Sequence, residues 1–222
     1  MKKSLSITPD LFAGDLSAPW VETIVDDAVV LRHFALEKEE ALLAAIAGIA
    51  ERVPFRNMRT PGGHTMSVAM TCCGEWGWVT DTSGYRYQAS DPSSGRTWPE
   101  MPEIFRALAV AAATEAGYPG FEPDACLINR YQPGAKMGLH QDKDENDFAQ
   151  PIVSVSLGVP ATFQLGGARR RDRPVNTTLI SGDVVVWGRS ARLNYHGVLR
   201  LKPGQHLLTG DLRYNLTFRR AR

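Results

Sequence analysis

His140 and Asp142 stand two residues apart in Leu139-His140-Gln141-Asp142-Lys143-Asp144-Glu145, just after Gln132-Pro133-Gly134-Ala135-Lys136-Met137-Gly138. On an extended backbone, residues i and i+2 face the same way. An imidazole nitrogen and a carboxylate oxygen could then meet one metal ion. His196, in Asn194-Tyr195-His196-Gly197, offers a third ligand. Two histidines and one carboxylate on one face of an octahedron leave the other positions open, which suits non-haem Fe(II) oxygenases. Chance also produces a His-x-Asp followed by a later histidine, so the surroundings must decide. His33 lies in an early strand or turn and reads as packed or solvated rather than as a ligand, and His206, in a loop before the last strand, has no carboxylate neighbour at ligand spacing.

Two further stretches could serve the same centre. Arg213-Tyr214-Asn215-Leu216-Thr217-Phe218-Arg219 alternates cleanly, with Arg213, Asn215, Thr217 and Arg219 on one face and the apolar residues on the other. An edge strand with one wet face would read the same way. If the polar face points inward instead, two buried arginines need anions. Six residues of strand span roughly 20 Å, and two long side chains leaning inward could grip a short dicarboxylate. In Cys126-Leu127-Ile128-Asn129-Arg130-Tyr131, the amide of Asn129 and the phenol of Tyr131 share a face and could reach the same acid. Ordinary backbone partners for a buried amide and phenol are the competing explanation.

Strands and turns must position these groups. From residue 121 onward the pattern is antiparallel β, with strands expected at 125–131, 152–157, 161–165, 177–180, 183–187, 193–196 and 211–218. Turn residues separate them, among them Gly158-Val159-Pro160, Gly166-Gly167 and Lys202-Pro203-Gly204. Many short strands joined by turns indicate a sandwich, jelly roll or barrel. Earlier, 23–25 and 28–31 read as strands, and helices are expected from Glu37 to about Arg52 and from Pro102 to Ala116.

Residues 54–98 differ in character. Glycine and proline are frequent, and the pairs Trp76/Trp78 and Tyr85/Tyr87 each have i, i+2 spacing. Each pair would set its rings on one strand face, either packed on the core or open as a stacking platform for a base, which is worth roughly 1–3 kcal/mol per base.

Composition bounds the rest. The 222 residues, 43% hydrophobic and 22% charged, suit one globular domain. The net charge of +1 is unevenly spread: residues 151–222 hold 12 Lys/Arg and 3 Asp/Glu, a local net of +9. That fits an anionic partner such as nucleic acid, and equally an uneven solvated surface. Three cysteines without a C-x-x-C pair argue against structural zinc and for a reducing cytoplasm. Residues 1–10 are basic but lack an apolar signal core, and no run is long enough to span a bilayer, so no membrane role is expected.

Taken together, N-R-Y-x-P-G-A-K-x-x-L-H-Q-D-K-D-E, P-I-V-S-V-S-L-G, G-D-V-V-V-W-G, Y-H-G and R-Y-N-L-T-F-R resemble the AlkB family of Fe(II)/2-oxoglutarate-dependent dioxygenases. The resemblance runs from about residue 11 to 219 and includes P-G-G-H-T-M-S-V-A-M-T and D-P-x-x-x-x-x-W-P. It implies a mainly β (α+β) fold: a double-stranded β-helix (jelly-roll) core at 121–222, flanking helices and a nucleotide-recognition lid at 54–98, all one dioxygenase domain over 1–222. It maps Fe(II) onto His140, Asp142 and His196, and 2-oxoglutarate onto Asn129, Tyr131, Arg213, Asn215 and Arg219, with Arg213 at the distal carboxylate.

On the substrate side the resemblance implies Trp78 stacking on an extruded base, with His140 as the opposite wall. Tyr85, Arg86 and Tyr87 would meet phosphates or base, Asp144 would accept from the base's exocyclic amine, and Arg170 would lie near the strand. The implied reaction uses Fe(II), O2 and 2-oxoglutarate to demethylate 1-methyladenine and 3-methylcytosine in single-stranded DNA, with duplex DNA and RNA as further substrates. It releases formaldehyde, succinate and CO2. A cytoplasmic monomer is expected. Two departures, His64 where the family carries Tyr and Asn194 where it carries an aromatic, bear on substrate preference rather than on the reaction. Two alternatives stand beside this: a 2-oxoglutarate dioxygenase acting on tRNA, protein or a small molecule, and a non-catalytic nucleic-acid-binding β-barrel.

Overall fold

The structure is a computed structural model that describes residues 19–222. Residues 1–18, which include the basic start without an apolar core, lie outside the described residues. No helix among the described residues is long and apolar enough to cross a membrane.

The chain begins with a hairpin, β1 (Trp20–Val25) and β2 (Ala28–Arg32), turned at Asp27 with φ of 61°, a left-handed conformation that aspartate tolerates. A 3-10 turn at Leu36–Lys38 leads into α1 (Glu39–Arg52). Then come β3 (Ala69–Gly74), the hairpin β4 (Gly77–Asp81) and β5 (Gly84–Gln88), and α2 (Glu103–Glu115). Pro102 sets the start of α2, and Gly117, at φ of 84°, lets the chain leave its end.

The second half supplies β6 (Ala125–Tyr131), β7 (Met137–His140), β8 (Ile152–Gly158), β9 (Ala161–Leu165), β10 (Val175–Leu179), β11 (Val184–Trp187), β12 (His196–Val198) and β13 (Arg213–Arg219). Two sheets result. The larger runs β1-β2-β11-β8-β13-β6-β3, and the smaller β10-β9-β12-β7. From β6 on, the chain alternates between them except at the β9–β10 hairpin, both of whose strands lie in the smaller sheet; this is the double-stranded β-helix, or jelly roll.

Both faces of the larger sheet are covered. Leu42, Ile46 and Ile49 of α1 and Phe105, Leu108 and Ala112 of α2 pack on Ile128, Val153, Val155, Val184, Leu216 and Phe218. Phe105 meets Phe218 edge-on at 6.0 Å. Because strand side chains alternate, this leaves the intervening residues of the same strands facing the smaller sheet. These are Leu127, Asn129, Tyr131, Ser154, Arg213, Asn215, Thr217 and Arg219, and they line one cleft.

Several elements differ from the sequence expectation. The strand expected at 193–196 starts only at His196; Leu193 lies in a turn after a 3-10 helix at Arg189–Ala191. Strand β7 was not foreseen, since its Gly138 reads as turn rather than strand. Residues 69–74, inside the segment expected as a lid, pair with β6 and complete the edge of the larger sheet, while β4 and β5 form a hairpin of their own.

Candidate functional site

Strand pairing assembles the metal ligands. His140 ends β7 and His196 begins β12, and the two are directly opposed across that pair. Asp142 follows two residues later in the loop beyond β7. One ligand atom from each of the three lies within 4.8 Å of the other two. His140 Nε2 is 3.7 Å from Asp142 Oδ1, and His196 Nε2 is 3.6 Å from Asp142 Oδ2.

The ring orientations are set from behind. His140 Nδ1 lies 2.9 Å from Gly138 O, and His196 Nδ1 lies 3.1 Å from Asn194 O. A carbonyl only accepts, so each Nδ1 is the donor to its carbonyl and each Nε2 is the ring atom turned toward Asp142. Burial of the ring's inner side, then nearby His196, pushes His140 down to about 4, although an outer edge stays exposed. It is therefore a neutral imidazole, the form that binds metal. Burial alone would raise the Asp142 carboxyl, but the neighbouring Arg219 guanidinium holds it well below the usual carboxylate range. Two imidazole nitrogens and a carboxylate converging on one point fit a divalent iron.

The second half of the cleft is cationic. Register places Arg213 opposite Tyr131 and Asn215 opposite Asn129, two rungs apart on the β6–β13 ladder, so the four polar side chains share one face. Arg213 is 1% exposed. It donates from Nη2 to Ser156 Oγ at 2.7 Å and from Nη1 to Val159 O at 3.2 Å, while its Nε has no partner. It makes no ion pair among the described residues, and burial pushes its guanidinium down to about 10. An unpaired buried cation is costly, and an incoming carboxylate would remove the cost. Asn129 Oδ1 is also unpartnered, and burial raises the Tyr131 phenol. The orphaned Arg213 N–H beside the triad fits a keto acid with a carboxylate at its far end.

Arg219 occupies the other end of β13. Its Nε and Nη2 donate to Asp142 Oδ2 at 2.9 and 2.5 Å, and its Nε also lies 3.4 Å from Glu145 Oε1. The Arg219 guanidinium thus braces the metal carboxylate while lining the same cleft as Asn129, Tyr131, Arg213 and Asn215.

A sequence model of the 2OG-Fe(II) oxygenase superfamily matches residues 27–219. The alpha-ketoglutarate-dependent dioxygenase AlkB of Escherichia coli is 57% identical over 212 residues, 96% of this chain and 97% of its own length. The chain belongs to the AlkB family of 2OG-Fe(II) oxygenases. An AlkB homolog from Caulobacter vibrioides is 47% identical over 84% of each chain. The solved structure of OsALKBH1 superposes with a TM-score of 0.77 at 28% identity, covering 90% of this chain and 99% of that one. The protein is accordingly an Fe(II)- and 2-oxoglutarate-dependent dioxygenase, with His140, Asp142 and His196 able to hold the iron.

Within this AlkB-family frame, the β4–β5 hairpin stands beside the metal loop. Trp78 stacks on Tyr85, with centroids 5.6 Å apart and planes at 19°, and its Nε1 donates to Asp144 Oδ2 at 2.8 Å. The shelf thus forms across the hairpin rather than from the i, i+2 pairs. Trp76 precedes β4, and Tyr87 is buried with its hydroxyl donating to Glu145 Oε1 at 2.6 Å. Arg86 pairs with Asp81 at 2.7 Å inside the hairpin. Arg170 is exposed and lies 5.9 Å over the Tyr195 ring, next to His196.

Sequence reasoning missed Glu145 and Arg192. Arg192, 2% exposed, donates from Nη1 to Asp142 O at 2.8 Å and from Nη2 to Glu145 Oε2 at 3.1 Å. Glu145 therefore ties Tyr87 of β5 to the metal loop. Its place in H-Q-D-K-D-E was the available signal; Arg192 had none. Ser154 and Ser156 were also missed, though serines alternating with valines in an otherwise apolar strand mark a polar face.

Proposed function

We propose that this dioxygenase demethylates N-alkylated bases, 1-methyladenine and 3-methylcytosine, in single-stranded DNA and also in RNA, as a cytoplasmic monomer acting in direct repair of alkylation damage. The observation that carries this reading is the Trp78–Asp144 pair. A flat ring and a carboxylate acceptor sit together two residues past the metal ligand Asp142. A purine or pyrimidine offers a π-face to the first and an exocyclic amine to the second.

The bound iron, with 2-oxoglutarate and O2, supplies oxidation of the N-methyl group, whose hydroxylated product loses formaldehyde while the keto acid becomes succinate and CO2. The chain's own residues do the positioning. Arg213 pairs with the distal carboxylate of the keto acid through its planar fork, and Asn129, Tyr131 and Asn215 hydrogen-bond the same acid. Arg219 and Arg192 hold Asp142 from its side-chain and backbone oxygens, which fixes the ligand's direction. Trp78, with Tyr85 on its outer side, holds the base plane, and Asp144 reads the amine. The target atom lies on the base's pairing edge, so the nucleotide must be unpaired or flipped out.

The test is formaldehyde release from one methylated sequence presented as single-stranded DNA, duplex DNA and RNA. Release from single-stranded DNA is the expected result. Succinate formation without formaldehyde from any of the three would exclude the proposed substrate.

A further inference from the structure

Loop 166–174 joins β9 to β10 and carries four exposed arginines, Arg169, Arg170, Arg171 and Arg173. Its base is fastened to the metal centre. Gly166 N–H donates to Tyr195 O at 2.7 Å, and Tyr195 N–H donates to Gly167 O at 2.9 Å, one residue before His196. Asp172 orders its tip. That carboxylate accepts from the Arg169 backbone N–H at 3.0 Å and from Arg169 Nε at 3.2 Å. It folds over Gly167, where a Cβ would lie 2.4 Å from Asp172 Oδ2. These bonds, the backbone one first, hold Asp172 below the usual carboxylate range.

The charge balance of this turn is lopsided. Asp172 is bound to Arg169, and Arg170, Arg171 and Arg173 make no ion pair among the described residues. Holding three like charges on one ordered turn is unfavourable, and the single carboxylate there, Asp172, is bonded to Arg169 and only feels Arg171 through space, so it offsets part of that charge at most. Orienting a single base needs none of them except Arg170. Guanidinium forks match phosphate oxygens bidentately, and a nucleic acid strand presents phosphates at regular intervals.

We propose that this loop is a phosphate-binding surface for the part of the strand outside the metal cleft. Arg170 serves the nucleotide nearest the mouth, and Arg171 and Arg173 serve phosphates farther along. The inference rests on nucleic acid being the substrate class, and it adds Arg171 and Arg173 to the binding residues.

The experiment measures binding of an unmodified single-stranded oligodeoxynucleotide by fluorescence anisotropy across a NaCl series, for the full chain and for Arg171→Ala/Arg173→Ala. Each lost phosphate contact lowers the slope of log affinity against log salt by about 0.7, so the double variant should lose about 1.4 and bind roughly 25-fold more weakly near 0.1 M salt. Arg171→Lys/Arg173→Lys should keep most of the slope, because charge rather than shape dominates counterion release. An unchanged slope in the alanine variant, or a loss that lysine fails to restore, overturns the proposal. Formaldehyde release is read separately. A reduced slope in a protein that demethylates no nucleic acid leaves the loop assignment standing and removes the repair reading; normal demethylation with an unchanged slope does the reverse.

Discussion

Trp78 donates its indole N–H to the Asp144 carboxylate at 2.8 Å, which joins the β4–β5 hairpin to the loop bearing the metal ligand Asp142. A base amine arriving at Asp144 must share or replace that bond. A hydrogen bond to a charged acceptor is worth about 1.5–3 kcal/mol net, so Asp144→Asn should raise KM for a methylated oligonucleotide roughly tenfold or more. The 2-oxoglutarate requirement should stay within about twofold, since Asp144 lies outside the acid's cleft. Steady-state kinetics with each substrate varied in turn checks this, and equal effects on both would count against Asp144 as the base reader.

The metal triad makes a sharper demand. His140→Ala, Asp142→Ala and His196→Ala should each abolish formaldehyde release and the visible absorbance band that Fe(II) and 2-oxoglutarate give anaerobically. Turnover retained in any one of them would sink the assignment.

Arg213 has a different signature. Its alanine variant should require far more 2-oxoglutarate while binding oligonucleotide normally. Arg213→Lys should recover only part of the affinity, because an ammonium lacks the planar fork. Titration of the iron–keto-acid band gives the affinity directly.

Gly197 follows a metal ligand and sits against the opposite strand. A Cβ there would lie 2.7 Å from Met137 O and 3.1 Å from Gly138 C. Gly197→Ala should therefore push β12 off β7 and separate His196 from His140, which are cross-strand partners. The expected outcome is at least tenfold weaker Fe(II) binding by competition titration, with a smaller change in melting temperature. Unaltered iron affinity would show that the pair tolerates the shift.

Phe105 is fully buried between α2 and the larger sheet. Phe105→Ala should cost about 3–5 kcal/mol in urea unfolding, the range for emptying a core aromatic. A loss under about 1 kcal/mol would mean that the helix contributes little to holding the sheet.

The sequence by itself determined the chemistry. His140, Asp142 and His196, the alternating Arg213–Arg219 strand and the Asn129/Tyr131 pair could all be picked out because donor type and period-2 spacing are local properties. So could most strands and both helices. Local pattern could not say what each face of β13 meets. Its alternation is that of a half-exposed edge strand, yet Arg213 and Arg219 are among its most buried residues. The apolar face meets helices and the polar face meets a cleft, and both partners come from distant parts of the chain. The same holds for Arg219 at Asp142, Tyr87 at Glu145 and Arg192 beneath the metal loop, separated by 77, 58 and 50 residues. Only the tertiary structure decides such pairings, because the packing of the two sheets and the hairpin, rather than residue type, brings those charges within hydrogen-bond reach.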